Sequence, residues 1–275
     1  MITRREFLGE LGATFFMLYT GMATILSAMT TGAQTGLWQI AIVWGLAVAI
    51  VVYVFGGLSG GHINPAITLS MAVFRGFSWR KVPGYMFAQC LGAFLAAAVA
   101  YCHYRGLLIN FETAHEIVRG QPGSELTAMA FADYYPNPAL KLHHKWVAEV
   151  VTMPMAFLSE FLGLAFITLV VFALTDPKNA SGPGHAIAPA IIGFTVAIVI
   201  SIVTPVSQGC LNPARDLPPR IFAYLAGWDS IALPGSSGFF IVYLAAPFLG
   251  SLFGALIYQV FSSGGPSEAK PTSGH

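Results

Sequence analysis

Two copies of the sequence Asn-Pro-Ala carry the residue types and the spacing from which chemistry can be expected. Residues 64–66 follow Gly-Gly-His-Ile, and residues 212–214 follow Gln-Gly-Cys-Leu. Asparagine is a good N-cap, and proline suits the first turn of a helix because its missing N–H is not needed there. Each copy therefore predicts a helix start, with amide donors and the positive end of the helix dipole at its tip. The two copies consist of Asn64, Pro65, Ala66, Asn212, Pro213 and Ala214.

The composition indicates which solvent surrounds the elements that hold these motifs. Of the 275 residues, 56% are hydrophobic and 9% are charged. Soluble domains carry about a quarter charged residues, so lipid is the simpler solvent for the outside of this chain. The net charge of +1 gives no basis for nucleic-acid binding. The three cysteines, Cys90, Cys102 and Cys210, lack the spacing of a metal or redox site.

Six apolar runs are long enough to cross a bilayer as helices, which takes about 20 residues. Two shorter runs, 64–74 and 212–225, begin at the Asn-Pro-Ala copies and reach only about halfway across. Two such half-length helices could cross the bilayer together if they met end to end. Residues 3–8 look like a twin-arginine export signal, but the following run is long for a cleaved signal, and we interpret it as the first span. The six runs cover residues 8–29, 37–56, 83–104, 147–174, 185–204 and 237–261.

The two halves of the chain form an internal repeat. Residues 45–52 match residues 193–200 at the same offset of 148 that separates the Asn-Pro-Ala copies, and Glu10 matches Glu160 at an offset of 150. Each half holds three full spans, an odd number, so the second half must be inverted relative to the first. The distribution of basic residues, with Arg4 in the N-terminal cluster, predicts that both termini are cytoplasmic.

This architecture predicts a transport property. The glycines before each Asn-Pro-Ala copy allow an extended backbone, which is tolerated at membrane depth where its carbonyls face a cavity. A neutral hydroxylic solute could exchange hydrogen bonds along these acceptors and the two asparagine amides. A cation would meet two positive dipole ends and an uncompensated desolvation cost of several kcal/mol. We therefore expect a passage for neutral molecules that rejects protons and cations. The residues expected to present carbonyl acceptors to the passage are Gly60, Gly61, His62, Gln208 and Cys210.

A third Asn-Pro-Ala copy, residues 137–139, lies in the polar sequence Asp-Tyr-Tyr-Pro-Asn-Pro-Ala. No glycine-rich approach precedes it, and no half-length apolar run follows it. We interpret it as a turn.

The paired motifs and their repeat resemble the aquaporin superfamily over residues 6–261. Asn-Pro-Ala-Arg-Asp at 212–216 resembles the glycerol-conducting branch, as do residues 110–119, 135–138 and 223–228. The resemblance implies an aquaporin-like bundle of six transmembrane helices and two half-helices. It also implies a homotetramer with one pore in each subunit.

The resemblance also implies a narrow outer selectivity filter formed by Trp44, Ile200, Gly209 and Arg215. The flat face of Trp44 would carry the carbon side of a polyol, while Arg215 bonds its hydroxyls. The chain departs from both branches here. The water-selective branch usually has histidine in place of Ile200, and the glycerol branch usually has glycine there and a bulky aromatic residue near Gly209. Glycerol is therefore expected as a class of solute.

Glu10 and Glu160 are predicted buried acids on the first span of each repeat. The resemblance implies that each binds the backbone of a half-helix loop and holds it in place. Glu149 is another candidate for the second position, and we choose Glu160 because its distance to residues 175–176 keeps that span in register. A proton-relay role for the two acids is the alternative.

These observations predict an all-α membrane protein that acts as a passive channel for glycerol and other small uncharged solutes, with water. The same fold selective for water, urea, undissociated lactic acid or metalloid acids is the alternative. A closed-pore structural membrane protein would need bulky plugs in the pore loops, and the sequence shows none. We expect no enzyme activity, cofactor or metal, because the sequence has no nucleophile–base set, metal-ligand cluster or phosphate loop.

The expected organisation is one membrane channel domain over residues 1–261, with repeats at about 6–104 and 147–261. Residues 262–275 are predicted to be a disordered cytoplasmic tail. The expected partners are the neutral solutes, the lipid bilayer and other copies of the chain. The expected location is a cell membrane, with a bacterial inner membrane favoured.

Overall fold

The structure is a computed structural model that describes residues 1–143, 146–179, 181–184, 186–234 and 238–263. Across these residues the chain is helical and forms no strand. In chain order the helices are α1 (Arg4–Thr31), α2 (Leu37–Ser59), α3 (Pro65–Phe74), α4 (Val82–Ala114), α5 (Glu125–Ala128), α6 (Pro138–His143), α7 (Val147–Val150), α8 (Met153–Leu174), α9 (Ala188–Ser207), α10 (Pro213–Ala223), α11 (Asp229–Ala232), α12 (Gly238–Phe240) and α13 (Ala246–Ser263).

Six helical segments are long and apolar enough to cross a membrane, as predicted. They are α1, α2, α4, α8, α9 and the segment Gly238–Ser262, in which the π-helical turn Ile241–Ala245 joins α12 to α13. Helices α3 and α10 have 10 and 11 residues, the half-length expected of them. Of the predicted tail, residues 262 and 263 end α13, and residues 264–275 lie outside the described residues.

Two helix boundaries differ from the sequence prediction. Helix α4 continues to Ala114, ten residues beyond the end of the third predicted run at residue 104. Its extra turns are held by packing, since Leu108 is fully buried and Glu112 forms an ion pair with Arg119 at 2.9 Å. The fourth span begins at Met153 rather than 147, because Thr152 is an extended N-cap residue and a proline occupies the first turn.

Close helix contacts occur at equivalent positions of the two repeats. Helix α1 packs on α4, α8 packs on α13, and α2 packs on α9 across the repeat boundary. Gly92 faces the carbonyl of Leu11 in the first pair, and Gly250 faces the carbonyl of Phe161 in the second. Gly45 and Gly193 each face the carbonyl of the other. Glycine allows these backbones to approach to a distance that a side chain would prevent.

Candidate functional site

The tips of the two half-length helices meet inside the bundle. Asn64 caps α3 by accepting the Ala66 N–H at 2.9 Å, and Asn212 caps α10 by accepting the Ala214 N–H at 3.0 Å. The Asn64 Nδ2 donates to the Leu211 carbonyl at 2.9 Å. The Asn212 Nδ2 donates to the Ile63 carbonyl, also at 2.9 Å. The structure therefore brings the two asparagines together, as expected, and each binds the loop of the other.

The residue before each capping asparagine has a backbone conformation that bulky residues avoid. The φ angle is +46° at Ile63 and +53° at Leu211. Residues held in this region cost about 1–3 kcal/mol each and persist only where their surroundings fix them. Because the same strained conformation occurs in both repeats, neighbouring groups must hold each loop in place.

Two buried carboxylates hold these loops. Glu10 accepts the N–H of His62 at 2.9 Å and that of Ile63 at 2.8 Å. Glu160 accepts the N–H of Cys210 at 3.0 Å and that of Leu211 at 2.6 Å. Carboxylates are acceptor-only groups, so each can bind several adjacent N–H donors at once.

Neighbouring hydroxyl and amide groups also bind these carboxylates. Ser59 donates to Glu10 at 2.7 Å, and Ser207 donates to Glu160 at 2.6 Å, in equivalent positions. Gln89 adds a donor to Glu10 at 2.7 Å. The other candidate for the second position, Glu149, is exposed on α7.

One cavity of about 690 Å³ passes the two helix tips. At one end it is lined by Gln34 and Thr35, which follow α1, and at the other by Val171 and Thr175 near the end of α8. Most of the lining side chains are apolar, and the polar ones lie mainly in the loops, with Thr204 on α9 and Arg215 on α10. The predicted residues that line it are Trp44, Gly60, Gly61, His62, Asn64, Ile200, Gln208, Gly209, Cys210, Asn212 and Arg215.

The four predicted filter residues all line this cavity. The Arg215 guanidinium lies 5.5 Å from the centre of the Trp44 ring. Ile200 is buried on α9, and Gly209 adopts a φ of +80°, a left-handed conformation that favours glycine. These four residues therefore give the cavity one aromatic wall, one aliphatic wall and one guanidinium.

Gln208 does more than the predicted backbone role. Its carbonyl accepts the Thr204 hydroxyl at 3.1 Å. Its side chain donates to the Met129 carbonyl at 3.0 Å and accepts the Tyr134 N–H at 3.0 Å. Gln208 thus ties the α4–α8 connection to the second pore loop. Sequence reasoning missed this contact because the connection is more than 70 residues away along the chain.

The expectation that the third Asn-Pro-Ala copy is a turn was wrong, because a short helix of six residues begins there. Asn137 accepts the Ala139 N–H at 3.0 Å and begins α6. Its Nδ2 donates to the Thr204 carbonyl at 3.0 Å. The capping chemistry is the same as in the other two copies, and the tertiary bond to α9 brings Asn137 and Ala139 to the cavity wall.

The family profile of the major intrinsic proteins matches residues 1–258. The chain belongs to the major intrinsic protein family. The prediction of the family and of its fold is thereby confirmed.

Other major intrinsic proteins with similar sequences include facilitators from bacteria. The chain is 40% identical over 254 residues to the glycerol uptake facilitator protein of Haemophilus influenzae, covering 92% of this chain and 91% of the relative. It is 39% identical over 274 residues to that of Pseudomonas aeruginosa, covering 97% and 92%. It is 39% identical over 258 residues to the propanediol uptake facilitator PduF of Salmonella typhimurium, covering 93% and 91%.

A solved major intrinsic protein has the same fold. The aquaglyceroporin from Plasmodium falciparum superposes with a TM-score of 0.76 at 25% identity, covering 92% of this chain and 94% of that one. The chain is thus a multi-pass membrane protein of a channel family, which points to transport rather than catalysis.

Proposed function

We propose that this protein is a passive channel for glycerol and other small uncharged solutes, with water, and that it excludes ions and protons. The observation that carries the proposal is the cavity that passes Trp44 and Arg215 and then both helix tips. The relatives named as glycerol and propanediol facilitators support a small polyol as the solute. They favour this class over water, urea, lactic acid or metalloid acids.

At the helix tips, Asn64 and Asn212 are the donors of the channel. Each side-chain amide has two N–H groups, and the bond to the opposite loop uses one of them. The second N–H can donate to a hydroxyl oxygen in the cavity. Helices α3 and α10 both direct their positive ends to this place, so a cation loses its hydration where nothing compensates for it.

The filter provides an amphipathic passage for an amphipathic solute. Arg215 presents fixed N–H donors to hydroxyl oxygens, and the faces of Trp44 and Ile200 accept the carbon side. Gly60, Gly61, His62, Gln208 and Cys210 would offer carbonyl acceptors along the rest of the path. Glu10 and Glu160 hold the loops and have no proton-relay role in this proposal.

The proposal places the protein in a cell membrane, for which a bacterial inner membrane fits the bacterial relatives. An even number of spans puts both ends of the described chain on one side, and the basic residues Arg4, Arg5, Arg80 and Lys81 favour the cytoplasm. We propose a homotetramer with one pore in each subunit. The solute crosses unchanged, so no enzyme activity, cofactor or metal is required.

Stopped-flow light scattering on proteoliposomes tests this function. After an inward glycerol gradient is applied, vesicles with the protein should re-swell faster than empty vesicles of the same lipid. An ion-sensitive dye trapped inside should report no added proton or potassium leak. Glycerol relaxation equal to that of empty vesicles would contradict the proposal.

A further inference from the structure

A buried aspartate lies against the filter guanidinium. One carboxylate oxygen of Asp133 is 3.1 Å from Nη1 of Arg215, and both side chains are almost completely buried. Arg215 lines the cavity, and Asp133 is fully buried in the connection between α4 and α8. The carboxylate therefore contacts the guanidinium away from the passage.

The backbone of Asp133 is held independently of its side chain. Its N–H donates to Asp216 at 2.8 Å, and its carbonyl accepts from Nη2 of Arg220. Asp216 and Arg220 form their own ion pair at 2.9 Å. Two carboxylates and two guanidiniums thus meet in one buried cluster, and Asp133 is the partner that balances the charge of Arg215.

The side chain of Asp133 has a different role from its backbone. Within the described part of the chain, neither of its carboxylate oxygens makes a hydrogen bond, and Nη1 of Arg215 makes none either. Their contact is thus an ion pair without an aligned hydrogen bond. A carboxylate that served only to hold the loop would be expected to bind N–H or O–H donors, as Glu10 and Glu160 do.

We propose that Asp133 is a positioning residue of the filter, which holds the Arg215 guanidinium against one wall and offsets its charge. This inference rests on the channel function proposed above. A guanidinium in a narrow, poorly hydrated passage attracts small anions as well as hydroxyl groups. With Asp133 behind it, Arg215 can donate hydrogen bonds to a passing polyol without retaining an anion that would block the pore.

Anion inhibition of glycerol flux in proteoliposomes tests this role. Thiocyanate is the probe, and gluconate, which is too large for the filter, replaces it at equal ionic strength. Flux through the wild-type protein should be the same in both salts. In Asp133→Asn, about 100 mM thiocyanate should slow glycerol about threefold, as for a site two-thirds occupied. Asp133→Glu keeps the charge and should stay insensitive.

Two further variants separate charge from structure. Glu116→Gln removes an exposed carboxylate from the same connection and should leave the flux insensitive to thiocyanate. The double variant Asp133→Asn/Arg215→Gln removes both charges of the pair, so it should lose the thiocyanate sensitivity of the single variant. Loss of the sensitivity in the double variant would identify the Arg215 guanidinium as the anion site.

The possible outcomes divide clearly. If the Asp133→Asn variant conducts less glycerol but its flux is unchanged by thiocyanate, the substitution has caused only a structural defect. This result would overturn the proposal. If Asp133→Asn fails to fold while the double variant folds, charge pairing is supported, and if both fail, Asp133 is a structural residue and the proposal is wrong. A wild-type protein that conducts no glycerol contradicts the proposed function instead, before any variant is compared.

Discussion

Ile63 and Leu211 occupy the same unfavourable backbone region because each carbonyl must reach the asparagine of the opposite loop. A buried carboxylate in each repeat makes this conformation stable by binding two successive N–H groups. The chemistry of the asparagines thus depends on two acids that do not line the cavity with them. A Glu→Gln substitution, which replaces one carboxylate oxygen by an NH₂ group, can test their role.

Glu160→Gln should destabilise the protein by roughly 2–4 kcal/mol and lower glycerol flux. The amide replaces one acceptor oxygen by an NH₂ group, which then faces the N–H donors of Cys210 or Leu211 or the Ser207 hydroxyl. Thermal unfolding in detergent would measure the loss. Glu149→Gln, on an exposed residue, is the matched control and should unfold as wild type does. Equal unfolding temperatures for both variants would show that the Glu160 carboxylate does not stabilise the second pore loop.

Ile200→Ala should widen the filter. The side chain lines the cavity, so its removal favours solutes larger than glycerol. We expect the erythritol-to-glycerol permeability ratio to rise about threefold. Ile202→Ala, two residues along α9 with 67% of the side chain exposed, is the control and should leave the ratio unchanged. A raised ratio in both variants would indicate a general loosening of α9.

Acidification should expose the charge of Arg215 in the wild-type protein. Burial raises the pKa of Asp133 well above its usual value; Asp216 and Glu160 act in the same direction, while Arg215 and Arg220 oppose it. A raised pKa means that the carboxylate takes up its proton at a higher pH than a surface aspartate does. Thiocyanate inhibition should therefore appear as the pH falls, whereas Asp133→Asn should be inhibited to the same degree throughout. A pH-independent wild type would count against this titration.

At the scale of elements, local capping rules determine where a helix begins, whereas tertiary packing determines what that helix contacts. Three Asn-Pro-Ala copies have the same capping chemistry, and all three begin helices, α3, α6 and α10. The repeat offset correctly separated the paired copies from the third. It also led to the wrong conclusion that residues 137–139 form only a turn, because the length of α6 and its contact with α9 depend on tertiary packing.

Substitutions of Asn137 can separate its two bonds. Asn137→Ala removes both the cap of α6 and the donor to the Thr204 carbonyl, and it should cost about 1–2 kcal/mol. Asn137→Ser keeps an acceptor for the Ala139 N–H and loses only the donor, so its cost should be smaller. Thermal unfolding of the two variants and the wild type gives the comparison. Equal stability of Asn137→Ser and wild type would show that the bond to α9 contributes nothing.

For the whole molecule, hydrophobic runs and the repeat were sufficient to predict six spans, two half-length helices and their inverted arrangement. The hydrocarbon core of a bilayer has a nearly constant thickness, so the length and apolarity of a run identify it as a span. The α4–α8 connection was not predictable in this way. Its contacts, such as Gln208 with Tyr134 and Asp133 with Arg215, join residues far apart in sequence and depend on the finished bundle.

The contact between α2 and α9 tests the equivalence of the two repeats. A Cβ atom at Gly45 would overlap the Gly193 carbonyl, and one at Gly193 would overlap the Gly45 carbonyl. Gly45→Ala and Gly193→Ala should therefore each cost about 1–3 kcal/mol, by similar amounts, because they disturb one contact from its two sides. Thermal unfolding in detergent measures both.

Gly57→Ala is the matched control for these two variants, because an added Cβ there meets no atom within 4 Å. It lies in α2 like Gly45, and it should be neutral or more stable by up to about 1 kcal/mol through helix propensity alone. Because Gly45 and Gly193 share the contact, the double variant should cost less than the sum of the single ones. A large loss at one of these glycines with none at the other would mean that the helices do not meet on an axis relating the repeats.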